Sequence, residues 1–208
     1  MKKRQQDLPL PFWGGARKGA GRKRKASRPQ VPHEPRAKFR KGALHVTLRM
    51  RAEVWNLRTR RCFQALRHAF EHGCNRFGVR VIHFSVQGNH IHMIVEAADP
   101  QALARAMKGL EVRMARALNM VMSRRGAVFA DRYHSHLLRS PREATHAVRY
   151  VLENQVVHAR REGWTIPRGV DPYCSGAPQG RGPPLVVEPW WWMLRVGIER
   201  VCAVKRAA

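Results

Sequence analysis

Acidic residues are scarce in this chain. Asp and Glu number 14 against 40 Lys and Arg, a formal charge of +26. Such an excess says little about fold but favours a polyanionic partner, nucleic acid ahead of an anionic membrane. Long apolar runs are missing too: none approaches the roughly 20 residues that span a bilayer. The opening stretch "MKKRQQDLPLPFWGG" lacks the continuous apolar core of a secretory signal, so a cytoplasmic protein is expected. Only four cysteines occur, Cys62, Cys74, Cys174 and Cys202, with no CxxC pair. That argues against a disulfide frame or a cysteine zinc site and leaves ordinary thiols. No GxxxxGK[ST] phosphate loop is present, which removes the signature of an ATPase or helicase. Tyrosine is rare as well: Tyr133, Tyr150 and Tyr173 are all there are.

What is present falls into three stretches. Residues 1–37 are rich in Lys, Arg, Gly and Pro without periodicity and read as a basic flexible arm. Within "GGARKGAGRKRK", the cations Arg17, Lys18, Arg22, Lys23, Arg24 and Lys25 alternate with small residues. The glycines let the backbone lie close to a nucleic-acid groove while the cations meet phosphates; a generic basic tail is the alternative. Residues 38–162 carry the folded domain. Residues 163–208 form a Pro/Gly-rich tail with a tryptophan cluster and a short terminal helix, which at least one of Trp190, Trp191 and Trp192 is expected to anchor.

Inside the domain, 43–50 reads as a strand and 52–70 as a helix whose period is carried by Trp55, Cys62, Leu66 and Ala69. Two further strands, 78–88 and 90–97, meet around Gly88-Asn89, a tight-turn signal. Asp99 and Pro100 open the strongest helix, in which Leu103, Met107, Leu110, Met114, Leu118 and Val121 step by three or four. Such a stripe is core packing. Residues 127–140 read as another strand with its approaches. Ser140-Pro141-Arg142-Glu143 then supplies a capping box for a helix running to about Arg161. The order β-α-β-β-α-β plus one helix implies an α+β fold, a ferredoxin-like split βαβ sandwich. Its antiparallel sheet carries helices on one face, with an additional C-terminal helix bearing a tyrosine.

"GNHIHMIVEA" holds the most informative pair. On a strand, residues two apart share a face, so His90 and His92 point the same way while Ile91 and Met93 point the other. Two same-face imidazoles can hold one divalent metal if a third ligand arrives from elsewhere. Alone the spacing is weak, and His134 and His136 repeat it. On the last long helix, Tyr150 and Asn154 are four residues apart, away from the apolar stripe of Ala144, Val148, Val151 and Leu152. A tyrosine hydroxyl beside a metal ligand is suited to attack on a phosphodiester.

The HxH with an apolar middle residue, "FADRYHSHLLRS" and "RYVLENQVV", in this order over roughly 38–161, resemble the insertion-sequence-200-like HUH single-tyrosine transposases, particularly the REP-associated tyrosine transposases. The resemblance implies a metal-dependent DNA transposase that cuts and rejoins single-stranded or hairpin DNA through a 5′-phosphotyrosyl link, acting as a monomer or homodimer. By the same resemblance Tyr150 is the nucleophile, His90 and His92 are the metal-binding pair, and Asn154 is the third ligand. Mg²⁺ or Mn²⁺ is the metal expected, since phosphate oxygens and water complete its shell. Where the family continues Asn-Pro-Val, this chain has Asn154-Gln155-Val156, which removes a helix stop. A tyrosine with pKa near 10 lies about 4 kcal/mol from phenolate at pH 7, so its attack needs help from a metal, cation or base.

Other functions compete. A non-catalytic DNA-binding descendant would keep the charge and fold without needing metal. A rolling-circle-initiator-like nickase would share the chemistry and the order of His pair and tyrosine, but usually with a helicase extension. A metal-dependent hydrolase is disfavoured because no carboxylate-rich site accompanies the histidines.

Overall fold

The computed structural model describes residues 38–165, 168–178 and 182–199. The arm with Arg17, Lys18, Arg22, Lys23, Arg24 and Lys25 lies outside the described residues, as does Cys202.

Strand β1 (Gly42–Arg49) alternates strictly: Leu44, Val46 and Leu48 enter one core while Ala43, His45 and Thr47 face the other side. Helix α1 (Arg60–Glu71) follows, then the short β2 (Asn75–Arg76), β3 (Val79–Val86) and β4 (His90–Ala97). The pairing is antiparallel throughout, in the order β2-β3-β4-β1-β5, where β5 is His134–Leu138. Because β4 sits between β1 and β3, the two strands joined by α1, this is the split βαβ arrangement.

Helices α1 and α2 (Pro100–Val121) cover one face of the sheet. Phe70 of α1 stacks on Phe84 of β3 with ring centres 4.5 Å apart. Met107, Leu110 and Met114 of α2 complete that core. Each fully buried side chain of this size contributes about 1.5–3 kcal/mol. Asp99 caps α2, its Oδ1 accepting from the Ala102 N–H at 2.7 Å. Helix α3 (Pro141–Leu152) takes the opposite face, where Ala144 and Val151 pack on Ala43, Ile82, Ile94 and Leu138. Ser140 caps it from Oγ, and Glu143 reaches back to the Arg139 N–H at 2.7 Å. The expected capping box is therefore shifted by one backbone group.

Three boundaries differ from expectation. Helix α1 starts only at Arg60, capped by Thr59, because Leu57 is drawn aside: its N–H donates to Gly88 O in the β3–β4 turn at 2.9 Å and its side chain is buried. Trp55 thus lies outside the helix and is exposed. Strand β5 is short because residues 128–130 pair instead beyond the end of β1, through Arg51 N–H to Val128 O and Ala130 N–H to Arg49 O. The helix expected to reach Arg161 is two helices. Glu153, at φ −98° and ψ 11°, turns the chain between α3 and α4 (Asn154–Glu162). Lacking proline permits a continuous helix but does not require one.

The tail closes the domain. Tyr173 O accepts from the Val86 N–H and Ser175 N–H donates to Phe84 O, so this segment covers the outer edge of β3. Arg58 and Asp171 lock it with paired hydrogen bonds of 2.8 and 2.9 Å. A π-helical turn, Met193–Gly197, docks on α3 through Leu194. A Cβ on Gly197 would stand 3.2 Å from Pro141, which explains the glycine. Leu194 anchors the terminal turn together with Trp191, whose N–H donates to Glu96 and whose carbonyl accepts from the Leu194 and Arg195 N–H groups.

Candidate active site

The α3 face of the sheet gathers histidines. His92 of β4 lies opposite Thr47 of β1 in register, and His45, two residues back along β1 on the same face, lies opposite Ile94. His45 Nε2 and Thr47 Oγ1 each lie 3.1 Å from His92 Nδ1. His90 Nδ1 donates to the Asn89 side-chain oxygen at 2.8 Å. That bond fixes the His90 tautomer, leaving its lone pair on Nε2. In His92 the Nδ1 is likewise engaged, while Nε2 is buried with no hydrogen-bond partner.

Tyr150, on the last turn of α3, stands over this group. Its ring centre is 5.2 Å from His92 and 5.9 Å from His45, edge-on to both. It is 38% exposed, enough for a substrate to reach the hydroxyl. Asn154 opens α4 and is fully buried, and neither amide atom has a partner. His158, one turn later on the same side of α4, faces His90 at 5.6 Å between rings. The turn at Glu153 therefore sets His158 of α4 against His90 of β4.

Burial dominates the electrostatics. It pushes His92 down to about 3, helped by neighbouring His90, His45 and His158. His90 falls to about 4 through burial, then His158 and Arg49, and His45 to about 4 through burial, then His134 and His136. All three are neutral at pH 7; with the His92 Nδ1 proton donated to His45 Nε2 or Thr47 Oγ1, His90 and His92 each keep the Nε2 lone pair. His90 and His92, with ring centres 4.8 Å apart, offer imidazole nitrogens of the kind that suit a borderline divalent ion.

The remaining candidates sort by face. Tyr133 is buried in the core under α1 and α2, and Tyr173 packs on Phe63 beneath the Arg58 guanidinium, both away from the His pair. His136 Nε2 is engaged by Glu143 at 2.6 Å. One exposed group, His68, Glu71 and His72 on and just after α1, has atoms close enough to share an ion, but α1 lies across the sheet from Tyr150. Sequence reasoning missed His45, Thr47 and His158. The alternation of "ALHVTLRM" places the first two on one face, yet only the register shows that the face is shared with His92.

Fold and cluster together define an α+β protein that carries its reactive groups on an open sheet face under a helix, rather than in a loop-built cleft. The chain belongs to the IS200-like transposase family, enzymes that cut DNA: the family described as "Transposase IS200 like" matches residues 39–155. Among solved structures, a REP-associated tyrosine transposase bound to a REP hairpin superimposes with a TM-score of 0.52. The match has 18% identity and covers 65% of this chain and 76% of that one, a likeness of fold. A Deinococcus radiodurans protein described as a transposase aligns at 12% identity over 65% of this chain and 100% of its own, with a TM-score of 0.41. No curated protein matches the chain. Among the described residues no helix is long and apolar enough to cross a membrane.

Proposed function

We propose that the protein cuts and rejoins single-stranded DNA, hairpin-forming strands in particular, with Tyr150 as nucleophile and a divalent ion held by His90, His92 and Asn154. The observation that carries this reading is the tyrosine ring set 5.2 Å from His92, whose Nε2 is buried without a hydrogen-bond partner, beside His90. Bound Mg²⁺ or Mn²⁺ would supply charge to the phosphate and lower the barrier to in-line displacement.

The chain's own groups do the rest. Tyr150 Oη forms the new bond to phosphorus, the bond from phosphorus to O3′ breaks, and the phenol proton passes to solvent or a nearby acceptor. The departing O3′ takes up a proton to become a free hydroxyl. One phosphodiester is exchanged for another, so no nucleotide is consumed, and the reverse attack by a 3′-hydroxyl rejoins a strand. Thr47 and His45 hold the His92 ring, and Asn89 holds His90, so both present Nε2 without reorganisation.

The test is incubation of the full chain with palindromic single strands from its gene's flanks, with Mn²⁺ or with a chelator, followed by a denaturing gel. Covalent protein–DNA product with Mn²⁺ alone is expected. Binding without any such product would leave the DNA-binding descendant as the better description.

A further inference from the structure

A second feature of the same sheet face has no part in that chemistry. Glu96, at the far end of β4 from the histidines, is 1% exposed, with Arg80 Nε 3.8 Å away. Its two carboxylate oxygens accept the backbone N–H groups of Trp190 and Trp191, at 2.8 and 2.9 Å. Burying a carboxylate is costly unless it is hydrogen-bonded, and here those bonds hold a loop whose leading tryptophan stays 72% exposed. Arg80 adds to the clamp: it donates to Glu188 O at 2.6 Å, and its guanidinium lies 5.7 Å from the Trp190 ring centre. Between these residues, Lys41 and Asn75 lies a cleft of about 380 Å³.

We infer that this cleft is a stacking site for a base of single-stranded DNA, with Trp190 as the platform, Arg80 beside its ring and Lys41 toward the backbone phosphates. The inference rests on the single-strand reading above and extends it to a second contact point. The clamp on the Trp191 N–H seats the start of the terminal turn, but that role does not require the tryptophan ring of Trp190 in solvent, whereas base stacking does: every base offers a π face, and cations beside an aromatic platform are the usual composition of such sites. The chain's charge of +26 suits the phosphates. Glu96 and His90 are six residues apart on one strand face, about 20 Å. A stacked strand advances about 3.4 Å per nucleotide, and α3 covers Ile94 on the face between them, so a strand joining the Tyr150 site to the cleft passes around α3 and needs more than about six nucleotides. Asn75 supplies an amide at its wall, able to pair with a base edge.

The test uses the full chain, labelled oligodeoxythymidine of 20 nucleotides and Trp190→Ala beside Trp190→Phe. Trp190→Ala should weaken binding about 5- to 150-fold, with an unchanged slope against log salt because the substitution removes no cation. Trp190→Phe should keep most of the affinity. An oligonucleotide carrying 5-iodouracil should cross-link, on irradiation, to the peptide containing Trp190. Affinity within twofold of wild type in Trp190→Ala, or cross-links confined to other peptides, would overturn the site while leaving the transposase reading intact. A wild-type chain without affinity for any single strand would sink both.

Discussion

Replacing Asn154 with leucine should make the metal-free protein more stable and take away much of the stabilisation that Mn²⁺ gives. Asn154 is fully buried, and its Oδ1 and Nδ2 have no hydrogen-bond partner. Each unmet buried polar atom costs about 1–3 kcal/mol, and an apolar side chain of similar size removes both penalties. Strain from the branched side chain offsets part of that gain, so Asn154→Leu should gain about 1–3 kcal/mol in a chelator. For a domain of this size that is about 2–4 °C in melting temperature per kcal/mol. With Mn²⁺ the advantage should shrink, and reverse where the gain in chelator lies below about 2.7 kcal/mol. An ion that binds only the folded wild type adds about 2.7 kcal/mol at one hundred times its Kd, and the leucine variant is short of one ligand. Urea unfolding in EDTA and in Mn²⁺ reads both effects. A variant less stable than wild type in EDTA, or one that keeps the full Mn²⁺ increment, would refute the assignment of Asn154 as a ligand waiting for its ion.

Other outcomes follow from the same geometry. His90→Ala or His92→Ala should abolish Mn²⁺-dependent cleavage and leave the fold intact, whereas His136→Ala, which removes only the partner of Glu143, should cut as wild type does; equal loss in all three on the same gel would contradict the pair. His45, His90, His92 and His83 all have folded pKa values below the ordinary 6.5, chiefly through burial, so the unfolded chain binds more protons than the folded one just below that pH. Stability is then full above about pH 6.5 and falls with acidification toward pH 4, and an equal or higher urea midpoint at pH 5.5 than at 7.5 would contradict it. Deleting residues 1–37 removes 11 Lys and Arg and should flatten the slope of log K against log salt by about 0.7 for each single-strand phosphate that the arm had neutralised; an unchanged slope would mean the arm does not touch DNA.

Much of this site is legible in the sequence because it depends on local rules. The two-residue period of a strand puts His90 and His92 on one face, and Asp99-Pro100 and Ser140-Pro141 announce two helix starts through their capping chemistry. What escapes is set by contacts between distant segments. Pairing of β1 with β4 brings His45 and Thr47 against His92, and no local pattern encodes that register. The late start of α1 has a similar cause, since Leu57 is claimed by the turn at Gly88. The turn at Glu153 is tertiary as well: a continuous helix keeps Tyr150 and Asn154 on one face, whereas the break buries Asn154 and sets His158 against His90. The tail's role along the edge of β3 is hidden for the same reason, because its Pro and Gly content speaks only against regular structure.

Peptide mapping of the covalent protein–DNA product tests the central claim most directly. Tyr150 is the tyrosine that shares the face of His90 and His92, while Tyr133 and Tyr173 pack with the core on the other side. Tyr150→Phe removes one oxygen from a partly exposed ring and should leave folding and DNA affinity unchanged while eliminating the product. In the wild type, the nucleotide should be found on the peptide carrying Tyr150. A nucleotide on Tyr133 or Tyr173, or a covalent product from Tyr150→Phe, would contradict the account.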